Sequence, residues 1–179
     1  MAGVEQFQDA GRFAQLLDTW SETRTAPCAV SLDSIRRFVQ GAMITDDVYG
    51  NTDAAVVARF GGVVAPPLYP LNVFVRALGT PDPLDRLHDD PNWDAAGGVA
   101  AYDLPPIDTP LIKTLNGGTE ARVVALAKVG DRISTQARYL DITPRDGKSG
   151  PLLIVRVEVR YFEQDGNDLL RTVRTLIRR

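Results

Sequence analysis

The sequence predicts an α+β fold, in which an antiparallel sheet built mostly by the second half of the chain wraps around one long apolar helix. Two patterns predict these parts. Between Leu152 and Phe162, Val155, Val157, Val159 and Tyr161 alternate with Arg156, Glu158 and Arg160, the period-two pattern of a half-buried strand. From Pro66 to Gly79, Leu71, Phe74, Val75 and Leu78 leave a segment apolar around most of its circumference, as a buried helix is. A third observation separates the halves: residues 80–110 are so rich in Pro, Asp and Gly that regular structure is broken repeatedly.

The 179 residues, 44% hydrophobic, fall within the usual single-domain range of roughly 50–250 residues. No internal repeat or linker divides them. Residues 1–179 are therefore read as one domain, with an N-terminal extension at 1–30 and a long loop excursion at 80–112.

The elements follow in chain order. Val4, Phe7, Phe13, Leu16 and Leu17 fall loosely at helical spacing, so the first 18 residues predict an amphipathic segment, weakened by Gly11. Ser31 is a suitable N-cap for a helix carrying Leu32, Ile35, Phe38 and Val39 inward and Arg36 and Arg37 outward, with Gly41 at its end. The next helix starts at Pro66-Pro67, since proline suits a first turn, and stops at Gly79. In the excursion, Trp93 or Tyr102 is available to pin the loop to the surface, with a lid or a partner-contact arm as alternatives. Arg122–Val129 and Arg132–Thr143 read as a strand pair joined by Gly130-Asp131, the first apolar enough to be central. Leu152–Phe162 and Leu170–Ile177 read as an antiparallel hairpin turned by Asp165-Gly166-Asn167.

Composition removes several chemistries. One cysteine, Cys28, forms no internal disulfide, and one cysteine with one histidine, His88, cannot supply the four ligands of a structural zinc site; no metal is expected. Any imidazole base must be His88 or come from another chain. A net charge of −3 with interspersed signs argues against nucleic acid. The one basic cluster, Arg171, Arg174, Arg178 and Arg179, reads as a solvated strand face and tail, with a phosphate site as the alternative. The N-terminus lacks the apolar stretch of a secretory signal. The longest uncharged run, Phe60–Val75, contains three prolines and is shorter than the ~18–20 residues a membrane span needs. A soluble cytoplasmic protein, not associated with a membrane, is the expectation.

Four segments in order carry a resemblance: SIRRFVQGAMITDDVYGN at 34–51, RFGGVVAPPLYPLNVFVRALG at 59–79, LNGGTEARVVALAKVGDRIST at 115–135, and KSGPLLIVRVEVRYFEQDGNDLLRTVRTLIRR at 148–179. Together they resemble the N-terminal, fatty-acid-synthase-type dehydratase half of the MaoC-like hydratases. That resemblance implies a hot-dog fold, a long helix enclosed by an antiparallel sheet, and a coenzyme A or carrier-protein thioester as substrate, with no cofactor. It spans residues 31–79 and 113–179 and leaves 80–112 uncovered.

Hydrating an enoyl thioester requires a base to activate water, an acid to protonate the α-carbon, and donors to hold the enolate oxygen. In catalytic members of the resembled family an Asp and a His in a Gly-Asp-x-Asn-Pro-x-His stretch supply the first two, and backbone N–H groups near the central helix supply the third. Aligned by the distance to Gly61-Gly62, that stretch falls on Met43 to Tyr49, placing Ile44 at the Asp position and Tyr49 at the His position. Isoleucine is no base, and a phenol with an ordinary pKa of about 10 is a poor acid–base group at neutral pH. Asp46 or Asp47 could put a carboxylate in the pocket under a shifted alignment; none supplies a histidine. The resemblance thus implies no catalytic residue in this chain, and an acyl tunnel lined by Ile44, Val48, Tyr49, Val63, Val64 and Ala65, which could equally be core.

Three functions follow. The first is the substrate-binding, non-catalytic subunit of a heteromeric enoyl-CoA hydratase or 3-hydroxyacyl-thioester dehydratase, a heterodimer or dimer of heterodimers whose catalytic MaoC-like hot-dog partner brings the Asp and His. The second is a homodimeric hydratase or thioesterase using Asp46, Asp47 or Glu120. The third is an acyl-CoA-binding module without chemistry.

Overall fold

A computed structural model describes residues 10–74, 79–82, 85–90, 103–111 and 113–179. Five strands form one antiparallel sheet: β1 (Arg24–Thr25), β2 (Thr114–Val123), β3 (Ser134–Gly147), β4 (Gly150–Phe162) and β5 (Asp168–Arg178), in the spatial order β1-β3-β4-β5-β2. The most regular alternation in the sequence lies at the centre. β4 has a long strand on each side, and its odd-numbered residues Leu153, Val155, Val157, Val159 and Tyr161 are all buried. Each such side chain contributes about 1.5–3 kcal/mol on leaving water, the largest repeated gain in the domain.

The inner face of the sheet is covered by short elements. Helix α1 (Leu32–Gly41) brings Ile35, a 3-10 turn at Tyr69–Asn72 brings Tyr69, a 3-10 segment at Ala10–Leu16 brings Phe13, and the returning end of the excursion brings Ile107. α1 begins as expected at Ser31: the Ser31 hydroxyl accepts from Ser34 N–H at 3.1 Å, and Ser31 N–H donates back to Ser34 Oγ at 3.0 Å. Helix α2 (Ala54–Phe60), which periodicity did not reveal, is capped by Asp53 and ends on left-handed Gly61. A further helical turn, α3 (Arg86–Asp89), carries His88, which is exposed.

Two expectations fail. The long helix from Pro66 to Gly79 does not form in its described part. The chain makes i→i+3 bonds instead, Tyr69 N–H to Pro66 O at 3.0 Å and Leu71 N–H to Leu68 O at 3.1 Å, and leaves helical pairing at Val73. Pro70 keeps an α-helix from starting as early as Pro66: its ring would strike the carbonyl of Pro66 four residues back, and it has no N–H to give, whereas it fits the first turn of the 3-10 segment. Residues 75–78, which the same reading included, lie outside the described residues, as do 1–9, Trp93 and Tyr102.

The second failure is the pair Arg122–Val129 with Arg132–Thr143. The strand lies earlier, at Thr114–Val123, runs against β5, and forms an edge of the sheet. Residues 124–129 run on past its end: Val124 and Ala125 N–H still go to Leu169 O at the start of β5, then Ala127 O receives Ala65 N–H and Val129 N–H goes to Val63 O. Apolar composition there reflects a crossing segment with only Ala127 deeply buried, while Val124 and Val129 stay exposed.

The two sheet margins differ. Along β3, residues 17–30 form a strap: Asp18 N–H to Tyr139 O, Ser21 N–H to Ala137 O, Ala26 N–H to Ile133 O and Val30 N–H to Asp131 O. Among the described residues nothing comparable covers the outer edge of β2, whose residues are exposed from Leu115 to Val123.

Candidate functional site

The segment that should carry the chemistry is the loop between α1 and α2. It leaves α1 through Met43, a left-handed residue (φ 53°) that is 84% exposed. The loop is then locked by three side-chain-to-backbone bonds of one kind: Asp46 Oδ1 accepts from Val48 N–H at 3.1 Å, Asn51 Oδ1 from Asp53 N–H at 2.8 Å, and Asp53 Oδ1 from Ala55 N–H at 2.9 Å. Short Asx side chains commonly turn the chain this way. Asn51 Nδ2 also donates to Asp47 O at 3.0 Å.

The loop is tied to the segment after α2, and that segment to the crossing strand. Gly50 N–H donates to Val64 O at 2.9 Å, Val64 pairs with Lys128 in an isolated antiparallel bridge, and Ala65 N–H donates to Ala127 O at 2.8 Å. Three distant stretches, 44–51, 61–65 and 127–129, therefore form one small meshwork. Gly50 is required where it stands: at φ 73°, a β-carbon there would lie 3.3 Å from Ile35 Cγ2 in the core. The diglycine Gly61-Gly62 serves the same meshwork. A β-carbon at Gly62 would stand 3.1 Å from Lys128 Cδ and one at Gly61 3.4 Å from Lys128 Nζ, so the lysine stem lies over both glycines with its ammonium at the carbonyl end of α2, where a cation is favoured.

Of the residues singled out in sequence, Ile44, Val48, Tyr49 and Val63 are half-buried around this meshwork, whereas Val64 and Ala65 are sealed beneath it, Ala65 within the main core cluster. Asp46 and Asp47 are exposed, and Asp46 is already in use as a backbone cap. Glu120 lies on β2, 4.0 Å from Arg156, on the opposite face of the sheet from the core. His88 makes no hydrogen bond or ion pair among the described residues. Lys128, Asn51 and Asp53 were missed. The Asn-x-Asp-x-Ala spacing at 51–55 held the signal for two of them, but the contact of Lys128 with Gly61 spans more than sixty positions and left none.

Two phenols of the core cluster are perturbed. Burial pushes the Tyr69 hydroxyl above its ordinary pKa, opposed by its 2.6 Å hydrogen bond with Ser34 Oγ. Burial raises Tyr139 likewise, opposed by the charge of Arg178. Both therefore remain protonated hydroxyls at neutral pH. Tyr139 donates to Pro105 O at 2.9 Å, and Tyr69 stacks edge-on with Phe38, ring centres 5.6 Å apart.

Comparison with known proteins agrees with this architecture. The fold is similar to a chain of the ChsH1-ChsH2 complex from Mycobacterium tuberculosis, with TM-score 0.65 and 21% identity over 98% of this chain and 88% of that one. It is also similar to a MaoC-like dehydratase from Rhodospirillum rubrum, with TM-score 0.55 and 20% identity over 89% and 90%. A chain of the HadBC (3R-hydroxyacyl-ACP dehydratase) complex from Mycobacterium tuberculosis gives TM-score 0.54 and 15% identity over 87% and 94%. No curated protein matches the sequence. The five-stranded sheet is thus that of a hot-dog fold. With residues 19–172 matching the FAS1-like dehydratase domain region, the chain belongs to that dehydratase family.

Proposed function

We propose that this chain is the substrate-binding, non-catalytic subunit of a heteromeric enoyl-thioester hydratase or 3-hydroxyacyl-thioester dehydratase. The observation that carries the reading is the loop at 44–50. Where the resemblance puts an acid–base pair, it has an isoleucine and a tyrosine, and its one bonded carboxylate, Asp46, holds the backbone of Val48. Removing a positioned acid–base group typically costs 10²- to 10⁴-fold each. A catalytic hot-dog partner would supply the carboxylate and imidazole. The uncovered β2 edge supports such a partner, because unpaired strand edges invite a further strand, and two of the similar folds come from complexes of two different proteins. Coenzyme A or carrier-protein thioesters are the substrate class, and no cofactor or metal takes part. Ile44, Val48, Tyr49 and Val63 line the acyl channel, backed from below by Val64 and Ala65.

The test is hydration of enoyl-CoA substrates of increasing chain length by a catalytic hot-dog partner, with and without this chain. Turnover by the pair, with this chain alone slower by at least about 10²-fold, is expected. Hydration by the pure single chain at the rate of the pair would end the proposal.

A second reading rests on Asp47, whose exposed carboxylate makes no hydrogen bond among the described residues. It would make the chain a self-contained hydratase or thioesterase. Loss of the pure chain's activity in Asp47→Asn, with Asp46→Asn active, would favour it.

A further inference from the structure

The basic cluster at the end of the chain is a solvated tail only at Arg179, which is exposed. Strand geometry splits it. Arg171 pairs across the sheet with Arg160 and lies on the outer face, within a closed ion network: it bonds Asp168 at 2.6 Å and Glu158 at 3.3 Å, Arg160 bonds Asp168 at 2.9 Å, and Arg138 bonds Glu158 at 2.7 Å. Every arginine in that network has a carboxylate.

Arg174 and Arg178 point the other way. Their partners across β4 are Val157 and Leu153, both fully buried inner-face residues, so the two arginines share the core side of the sheet. They stand at its margin beside β2, where Arg174 pairs with Thr119 and Arg178 with Thr114. Both are half-buried, and neither guanidinium makes an ion pair or hydrogen bond among the described residues. The Nε of Arg178 is fully buried without a partner. Native structures rarely leave a buried charged donor unmet, and with its Nε sealed this guanidinium has its outer Nη groups left to meet an anion or water. The field of Arg178 reaches inward as far as Tyr139. The arginines are four residues apart on one strand, a span of about 13 Å at ~3.3 Å per residue. Two planar forks on that span suit an extended ligand with phosphate groups, which guanidinium binds bidentately.

We infer that Arg174 and Arg178 form a phosphate-binding site on the inner face of the sheet at its free β2 margin, gripping the phosphate-bearing end of a pantetheine thioester. This rests on the proposed function for its ligand, since a second hot-dog unit would continue the sheet from that margin and the thioester channel would run along the seam. The chemistry is shared by coenzyme A and by the phosphopantetheine arm of a carrier protein.

The test is calorimetric binding to the full chain and to its Arg174→Gln and Arg178→Gln variants, with Arg178→Lys as the milder change that keeps the charge. The probes are crotonyl-CoA, crotonyl-4′-phosphopantetheine, crotonyl-pantetheine and inorganic pyrophosphate. Each Gln variant should lose roughly tenfold or more in affinity for crotonyl-CoA and for pyrophosphate, with crotonyl-pantetheine, which has no phosphate, unchanged. A loss confined to crotonyl-CoA assigns the site to the nucleotide phosphates, and a loss shared by crotonyl-4′-phosphopantetheine assigns it to the phosphate common to carrier proteins. Pyrophosphate binding that vanishes in the variants, with no thioester bound by any form even when the catalytic hot-dog partner is present, leaves the arginine site standing and overturns the proposed function instead. Equal affinity of wild type and variants for crotonyl-CoA and pyrophosphate, or an equal loss for crotonyl-pantetheine, overturns the inference.

Discussion

At the scale of single residues, hydroxyls and carboxylates here serve the backbone. Ser34 is the clearest case. It completes the α1 cap and also meets the hydroxyl of Tyr69, which is only 3% exposed. Removing one member of a buried hydrogen-bonded pair costs more than removing both, because the survivor is left without water or partner. Ser34→Ala should therefore destabilise the protein by about 1–3 kcal/mol, more than Tyr69→Phe does, and urea denaturation of the two variants and the double variant checks the order. Glu163 is the corresponding carboxylate. Its oxygens accept from Asp165 N–H at 2.7 Å, Asn167 N–H at 2.9 Å and Asn167 Nδ2 at 2.7 Å, tying the β4–β5 turn. The backbone N–H of Asp165 is the main cause that holds its pKa below the ordinary carboxylate value, with Asn167 adding to it. The sign follows from linkage: a carboxylate with a lowered folded-state pKa contributes stability that is complete above its unfolded pKa and lost as pH falls through the folded one. Thermal melts of wild type and Glu163→Ala should accordingly differ at neutral pH and converge in acid, below the usual carboxylate range.

Elements were legible where one local rule governed them. The cap at Ser31, the alternation along β4 and the Asp-Gly-Asn turn after it needed only neighbours in sequence, and all three stand where periodicity and turn chemistry put them. Apolar composition points to a helix from Pro66, but Pro70 costs about 3 kcal/mol or more in a helix interior and so opposes one that starts there. β2 was misplaced for another reason. Its residues from Leu115 on are exposed, so no alternation of burial marks it, and it is defined by pairing with β5, 47 to 64 residues away. Its pairing depends on Gly117, in the register shift between Asn116 and Gly118, where a β-carbon would lie 2.9 Å from Thr175 Cγ2 and 3.1 Å from Thr175 O. Because the backbone oxygen cannot swing aside, Gly117→Ala should loosen the start of β2, raising amide exchange at Thr114–Asn116 while the β3–β4 amides keep their protection.

For the molecule as a whole, the core and the site answer to different constraints. The core is centred on β4, and Leu153→Ala should cost about 2–5 kcal/mol in a single cooperative transition, measured by chemical denaturation. Among the described residues no helix is long and apolar enough to cross a membrane. The sequence alone determined the α+β class, the hot-dog resemblance, the α1 cap, the β4–β5 hairpin and the identities at positions 44 and 49, because each rests on local periodicity or on motifs in fixed order. Tertiary structure alone decided the rest. It made β2 an edge strand, gathered 44–51, 61–65 and 127–129 into one meshwork with Lys128 over the diglycine, sealed Val64 and Ala65, and sent Arg171 to one face of the sheet and Arg174 and Arg178 to the other. Those outcomes depend on pairing between residues far apart in the chain, and strand register fixes the face on which every side chain emerges.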